Sequence, residues 1–478
     1  MKHLTLQQDP ISWIETIARN DPNRRWLETS NGEIISYAAL NQAATAMAAR
    51  LISGGVKPGD RIAAKLEKSP EAVILYFACL WVGAIYMPLN TGYTAAEVSY
   101  FLKDAKPVMF VAEVSDALRT HTLNSLAALP AVPIGKRPYF APDTVAAMLY
   151  TSGTTGRPKG AMLTRDNLAS NAVALVEAWA ITKDDVLIHA LPIFHVHGLF
   201  IAINAVTAAG AAMLFRPKYD PADVIALMPR ATVLMGVPTF YTRLLDCTAL
   251  TRQTTASMRL FISGSAPLLA QTHRMFEART GHAILERYGM TETGINTSNP
   301  YGGARIAGTV GPPLPGVQVR VTGESEGIGT IEVRGPNVFA GYWRNPEKTA
   351  AEFREDGWFI TGDLGKIDGD GYVHIIGRGK DLIITGGYNV YPKEVEDEID
   401  ALPGVTESAV IGVPHDDFGE AVVAVVVGAG LDPEAMITAL RIRLAAYKLP
   451  KAVHIVDALP RNTMGKVQKT VLRETYGR

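Results

Sequence analysis

Two cysteines in 478 residues, Cys79 and Cys247, are too few for a disulfide framework, and neither lies in a cluster with metal-ligand spacing. A reducing, cytoplasmic setting is the expectation. Charge of one sign is equally absent: 46 Lys and Arg against 47 Asp and Glu leave a formal net charge of −1. That balance argues against nucleic acid or an anionic membrane as the main partner. The first residues, Met1-Lys-His-Leu-Thr-Leu-Gln-Gln-Asp9, lack the apolar core of a signal peptide. No internal repeat, coiled-coil heptad, low-complexity linker or lipidation signal is present. The nucleotide P-loop pattern G-x-x-x-x-G-K-[ST] is missing as well.

One stretch does resemble a membrane span. Ala72 to Leu89 runs eighteen residues without a charge. Ser69-Pro70-Glu71 before it is a helix start, Gly83 interrupts it, and Ala84 to Pro88 reads as a short strand. A buried helix leading into a core strand accounts for the run. Leu199 to Phe215, broken at Gly210, is read the same way.

The most informative segment is Tyr150-Thr-Ser-Gly-Thr-Thr-Gly-Arg-Pro-Lys-Gly160, with three glycines and four Ser or Thr hydroxyls in eleven positions. Glycine lets several backbone N–H groups converge, and such a nest with hydroxyls and cations suits phosphate. Helical and strand patterns alternate around it: a helix over 37–53, strands over 61–66 and 107–112, and a helix over 166–180. Alternation of this kind predicts stacked α/β layers, with the cradle between a strand and a helix. From Gly308 to Val373 short strands punctuated by Gly and Pro predict a β-rich subdomain. A boundary is expected near Gly377-Arg-Gly-Lys380, dividing residues 1–378 from 379–478. The latter should form an α+β module with helices over 391–401 and 433–446 and strands over 406–413 and 421–428.

The 150–160 segment resembles the phosphate loop of the adenylate-forming enzymes, the superfamily of acyl-CoA synthetases, luciferases and peptide-synthetase adenylation domains. Tyr288-Gly-Met-Thr-Glu292, Gly357-Trp-Phe-Ile-Thr-Gly-Asp363, Gly377-Arg-Gly-Lys-Asp-Leu382 and Pro460-Arg-Asn-Thr-Met-Gly-Lys466 are similar to four further motifs of that family, in its order. The resemblance implies a large N-terminal domain of α/β layers plus a barrel, a mobile C-terminal lid, and a two-step reaction. A carboxylate attacks the α-phosphate of ATP, releasing pyrophosphate; the thiol of coenzyme A then displaces AMP from the acyl-adenylate.

Carried over motif by motif, Thr151, Ser152, Gly153, Thr154, Thr155, Gly156 and Lys159 would hold the β- and γ-phosphates. Thr291 would reach a phosphate oxygen and Glu292 would ligate Mg²⁺, a hard cation that favours oxygen. Adenine would lie between Tyr288-Gly289 and the turn Ser263-Gly264-Ser265, and Asp363 would accept both ribose hydroxyls with Arg378 in support. Lys466 would bridge the carboxylate and α-phosphate in the first step, Lys380 would be the hinge of the lid, and Gly386, Gly387 and Tyr388 would line the CoA tunnel. Acylation of Lys466 by a regulatory acetyltransferase would abolish its charge.

For the acid, His195-Val196-His197 and Arg287 are unlike a purely apolar fatty-acyl pocket. His195 falls where the family has a gating aromatic or histidine. A guanidinium at Arg287 can bind a second carboxylate in bidentate fashion, or pair internally with Glu286. Leu191-Pro-Ile-Phe-His-Val-His-Gly198, Val233-Leu-Met-Gly-Val-Pro-Thr-Phe-Tyr241 and Ile284-Leu-Glu-Arg-Tyr-Gly-Met-Thr-Glu-Thr293 look most like malonyl-CoA synthetases. That closer resemblance implies malonate, with methylmalonate tolerated, and places His197 and Ser263 beside Arg287. Departures fall at the same pocket: Gly294-Ile295 stands where such relatives have Asn-Met, and Val196 where some have Thr. A ligase for short or aryl monocarboxylates, a carrier-protein thiol in place of CoA, and a non-catalytic nucleotide sensor remain as alternatives.

Overall fold

The computed structural model describes residues 9–113, 120–151, 158–325, 327–385, 388–415, 418–462 and 465–477. The chain divides into two compact units: one holds the residues up to Val319 together with Val333–Phe359, the other Arg320–Glu332 together with Ile360–Arg478. The division expected at residue 378 falls inside the second unit, beside the single-turn 3₁₀ segment Gly379–Asp381 that carries Lys380.

Two sheets organise the first unit. An eight-stranded sheet runs Gly294–Ser298, Leu285–Met290, Leu260–Ser263, Val233–Gly236, Val186–His189, Ala212–Phe215, Arg25–Glu28, Ile34–Ser36. Its inner pairs are parallel and its two edge pairs antiparallel. A seven-stranded sheet runs Gly341–Tyr342, Lys159–Thr164, Val145–Thr151, Ile85–Pro88, Arg61–Lys65, Met109–Ala112, Thr120–His121. Parallel strands covered on both faces must be apolar throughout. Ile85–Pro88, Ala212–Phe215, Val233–Gly236 and Leu260–Ser263 are accordingly buried at every position.

The uncharged run resolves as core. Helix Pro70–Val82 is capped by the Ser69 side chain, which accepts from the Ala72 N–H, and it is buried at every residue from Ala72 onward. Gly83 ends it in the left-handed region at φ 83°; a Cβ there would stand 2.3 Å from Phe140. Each fully buried Leu, Ile, Val or Phe contributes about 1.5–3 kcal/mol, so this helix is an anchor of the unit. Among the described residues no helix is long and apolar enough to cross a membrane.

One expectation fails. Thr151 does not lead through the phosphate loop into a helix. Strand Val145–Thr151 returns as the antiparallel strand Lys159–Thr164, with Thr151 opposite Lys159, and helix Arg165–Ala178 begins only afterwards. The two described ends of the cradle segment, Thr151 and Lys159, are therefore paired strand residues. Six of its residues, Ser152 to Arg157, lie outside the described residues.

The second unit holds the body of a four-stranded sheet, Gln318–Ser325, Ile328–Arg334, Phe359–Ile367, Val373–Arg378, which realises the β-rich texture. It also holds a five-stranded sheet built on the long antiparallel pair Val405–His415 and Gly419–Gly428. Period-two alternation splits the side chains of this pair. Val410, Val422, Ala424 and Val426 pack with Val395, Ile399, Met436 and Leu440 of helices Pro392–Asp400 and Pro433–Leu440. Ala409, Ile411, Val423 and Val425 pack with Leu472 of helix Lys469–Tyr476 on the other face. Helix 433–446 as predicted ends early at Leu440, where the Arg441 N–H is shared between the Ile437 and Thr438 carbonyls in a tightened last turn.

Candidate active site

Residues Leu285–Met290 and Gly294–Ser298 form an antiparallel pair whose turn carries Thr291 and Glu292. The turn is tight because Gly289 has no side chain: a Cβ there would stand 1.9 Å from the Gly294 carbonyl oxygen. Two buried asparagines set the returning strand. The Asn171 side chain donates to the Ile295 carbonyl at 2.8 Å and accepts from the Ile295 N–H at 3.0 Å. Asn337 donates to the Thr293 carbonyl at 2.7 Å. Gly294 sits at φ 59°, and Asn171 Oδ1 lies 2.6 Å from where its Cβ would be. The space opened by glycine at 294 is thus already taken by Asn171. Val196, Phe200, Asn171 and Gly294 together line a narrow cavity beside it.

Alternation along the strand sends Glu286 and Arg287 to opposite faces. Glu286 accepts from the Gly308 N–H at 3.2 Å, whereas Arg287 packs on Gly264, whose added Cβ would meet Cζ at 2.4 Å. Arg287 is 5% exposed, and its Nε and Nη2 have no hydrogen-bond partner. No carboxylate pairs with it among the described residues; burial alone pushes its pKa down to about 9. An internal Arg–Glu pair is therefore not what this guanidinium makes. Ser263 Oγ, next to Gly264 at the end of strand Leu260–Ser263, is also buried and unpartnered.

His197 opens the π-helical segment His197–Ile203 and is 2% exposed. Ser265, held at φ 72°, places Oγ 3.2 Å from His197 Nδ1 and leaves Nε2 without a partner. Burial first, then the Arg287 charge, holds the imidazole well below its ordinary pKa, so it is neutral. His195 turns its Nδ1 to the His197 N–H at 3.3 Å. Among the described residues no group of three His, Cys, Asp or Glu could hold a metal ion. Val196 and Ile295 are buried. Unpaired buried polar atoms each cost about 1–3 kcal/mol. The cluster of them around Arg287 could be satisfied by an anion that brings its own acceptors.

At the root of the phosphate hairpin, Thr151 Oγ1 donates to Glu292 Oε1 at 3.2 Å, and Glu292 is 5% exposed. A buried carboxylate beside a hydroxyl offers the oxygen donors that Mg²⁺ prefers, so these residues fit that ion. Lys159, 9% exposed, holds its ammonium 5.2 Å above the Tyr342 ring and 3.9 Å from Glu352 Oε1. Burial first, then the neighbouring Lys348 charge, lowers its pKa. The Tyr342 hydroxyl lies 3.1 Å from Glu292 Oε1 and 2.5 Å from Glu352 Oε2. Tyr342 and Glu352 had no place in the sequence reading. They lie in the 341–352 stretch between motifs, and only folding sets them against Glu292.

In the second unit, Asp363 and Arg378 are register partners, with Nε 2.8 Å from Oδ1. Asp363 is buried. Lys466 is exposed on a loop where its N–H donates to Asn462 Oδ1 at 3.0 Å and its carbonyl accepts from the Asn462 N–H at 2.9 Å. Tyr388 is exposed and stacks on Tyr447 at 4.7 Å; Gly386 and Gly387 lie outside the described residues.

The AMP-binding enzyme model matches residues 14–343, and its C-terminal domain model matches residues 394–466. The chain belongs to the AMP-binding enzyme family. A feruloyl-CoA synthase of Amycolatopsis sp is 36% identical over 98% of this chain and 99% of its own. The mitochondrial malonate–CoA ligase of Mus musculus is 35% identical over 88% of this chain and 83% of its own. A crystal structure of ATP-bound MatB from Rhodopseudomonas palustris superposes with a TM-score of 0.93 at 55% identity, covering 98% of this chain and 99% of that one.

Proposed function

We propose that this AMP-forming ligase joins malonate to coenzyme A through a malonyl-adenylate, with Mg²⁺-ATP as the activating substrate. The observation that carries the choice of acid is Arg287: a buried guanidinium with two unpaired N–H donors and no acid partner among the described residues. A monocarboxylic acid spends its only carboxylate on the α-phosphate and leaves that charge uncompensated. A dicarboxylic acid satisfies both ends, the distal carboxylate taking the two donors of Arg287 with Ser263 and the neutral His197 at hand. The similarity to a malonate–CoA ligase supports the same acid, while the similarity to a feruloyl-CoA synthase keeps an aryl monocarboxylate as the second reading.

The first step brings two anions together, so the protein contributes position and positive charge. Thr151 and Lys159 would meet the triphosphate, and Glu292 would hold the Mg²⁺, which neutralises phosphate charge. Asp363, fixed by Arg378, would take the ribose. Lys466 would bridge carboxylate and α-phosphate, and rotation about Lys380 would then withdraw it and present Tyr388 to CoA. The exposure of Lys466 also leaves it open to a regulatory acetyltransferase. Two cysteines, of which Cys79 is buried and unpaired, fit a reducing cytoplasm.

Pyrophosphate release with ATP, Mg²⁺ and CoA tests the reading on malonate, methylmalonate, acetate, hexanoate and ferulate. Malonate should be turned over far faster than any monocarboxylate; acetate or ferulate at a comparable rate would overturn it.

A further inference from the structure

The hydroxyl of Tyr342 touches two carboxylates, Glu292 Oε1 at 3.1 Å and Glu352 Oε2 at 2.5 Å. It has one proton to give. The two carboxylates are alternative acceptors for it. Glu352 is itself held from the other side, by Lys348 at 2.7 Å and more loosely by Lys159 at 3.9 Å. Two carboxylates on one phenol repel each other, and a cation at Glu292 would relieve that repulsion.

Backbone fixes this arrangement. Tyr342 belongs to strand Gly341–Tyr342, which pairs antiparallel with Lys159–Thr164, placing Tyr342 opposite Ala161. Its N–H donates to Thr349 Oγ1 at 2.9 Å, and Thr349 lies in helix Pro346–Ala351, immediately before Glu352. The phenol and the second carboxylate are thereby clamped to the hairpin that carries Thr151 and Lys159. The Phe339 N–H donates to the Glu292 carbonyl at 2.8 Å and ties the same stretch to the Glu292 turn.

We infer that Tyr342 and Glu352 are positioning residues for the cation site at Glu292: the charge of Glu352, relayed through the phenol, aims the Glu292 carboxylate and strengthens its hold on Mg²⁺. This goes with the assignment of Glu292 as the Mg²⁺ ligand and is independent of which acid is activated. Groups that orient a metal ligand from behind are worth about 10–100-fold in metal affinity.

The test separates metal affinity from catalysis. Mn²⁺ retained by the enzyme–ATP complex is counted by electron paramagnetic resonance without any acid, and the Mg²⁺ dependence of pyrophosphate release is measured with acid present. Tyr342→Phe, which leaves both lysines with Glu352, should weaken Mn²⁺ retention and raise half-saturating Mg²⁺ about tenfold. The fall in kcat at saturating Mg²⁺ should be much smaller, and the thermal midpoint should stay within about 2 °C of the parent, a window of about 2 kcal/mol for a chain of this length. Glu352→Ala should do the same and also shift KM for ATP, because Lys159 loses a partner. Glu352→Gln, which keeps an acceptor for the phenol and removes the charge, should lie between Glu352→Ala and the parent. Unchanged Mn²⁺ retention in both Tyr342→Phe and Glu352→Ala overturns the inference, as does a loss of activity that no concentration of Mg²⁺ restores. Failure of the malonate reading would appear separately, as absence of malonate-dependent turnover in the parent enzyme with Mn²⁺ retention intact.

Discussion

Arg287 lies flat against the backbone of Gly264, so close that a methyl group at residue 264 would stand 2.4 Å from the guanidinium carbon. The glycine makes room for a charge that no carboxylate among the described residues neutralises. Gly264→Ala must push the guanidinium aside, and should raise KM for malonate with little effect on KM for ATP. Steady-state kinetics on the two substrates distinguish this from general damage.

Replacing the charge should trade activity for stability. Arg287→Met should lower kcat/KM for malonate by about 30-fold or more, since removing one partner of a buried charge pair costs about 2–5 kcal/mol. The free enzyme should gain about 1 kcal/mol or more of unfolding free energy, because a buried unpaired charge is lost. Denaturant titration with and without malonate reads both effects. An Arg287→Met enzyme that keeps its preference for malonate contradicts the assigned role.

Malonate binding should weaken in alkali. Burial lowers the Arg287 pKa to about 9, below its unfolded value. In the free folded chain the guanidinium then gives up its proton before the unfolded chain does, so this group's contribution makes stability rise with pH above about 9. At neutral pH it is charged in both states and its full burial cost is present. Malonate affinity, measured calorimetrically, should be flat from pH 7 to about 8.5 and fall above about 9, and the malonate complex should resist that deprotonation.

Asn171 should matter to the fold and to the turn at once. Asn171→Ala takes the side-chain acceptor from the buried Ile295 N–H and leaves the Ile295 carbonyl only the longer contact from Asn337 at 3.4 Å, at about 1–3 kcal/mol for a group left unsatisfied. A loss of about 2–4 kcal/mol in urea unfolding is expected, with weakened Mg²⁺-ATP binding because the Thr291-Glu292 turn is loosened. Gly294→Asn should clash with Asn171 and be tolerated only when Asn171 is shortened, a coupling that a double-mutant cycle reads out.

The two chemical steps should respond differently to the C-terminal unit. Lys466→Ala should slow adenylate formation by at least 100-fold, at about 2.7–4 kcal/mol, while thioester formation from added adenylate survives. Lys380→Pro should do the reverse. Equal loss of both steps in Lys380→Pro would remove the hinge role.

Much of this was legible before any coordinates, for local reasons. Helix Tyr37–Ser53 carries its own stop in Gly54-Gly55, and Pro70–Val82 its own start in Ser69-Pro70. The alternation of 405–428 already declares two faces. The phosphate hairpin was misjudged because its second strand, Lys159-Gly-Ala-Met-Leu-Thr164, begins as a loop sequence and becomes a strand only by pairing with Val145–Thr151. Helix Pro433–Leu440 was overextended because the apolar spacing runs on through Leu444 after the backbone has turned.

Chemistry that resides in residue type and order was legible as a proposal in the chain itself: a Gly, Ser and Thr loop for phosphate, an acid for a hard cation, a guanidinium in the acid region, and a lysine near the end. What the guanidinium faces was not. Glu286 stands beside Arg287 in sequence, and only the pleat of the strand, turning the two to opposite sides, leaves one bonded to Gly308 and the other unpaired against Gly264. Tyr342 and Glu352 likewise acquire meaning only where strand pairing brings residues 341–352 against Glu292. Sequence spacing governs neighbours along a strand or helix, whereas burial and pairing between distant segments decide which charges are left without a partner.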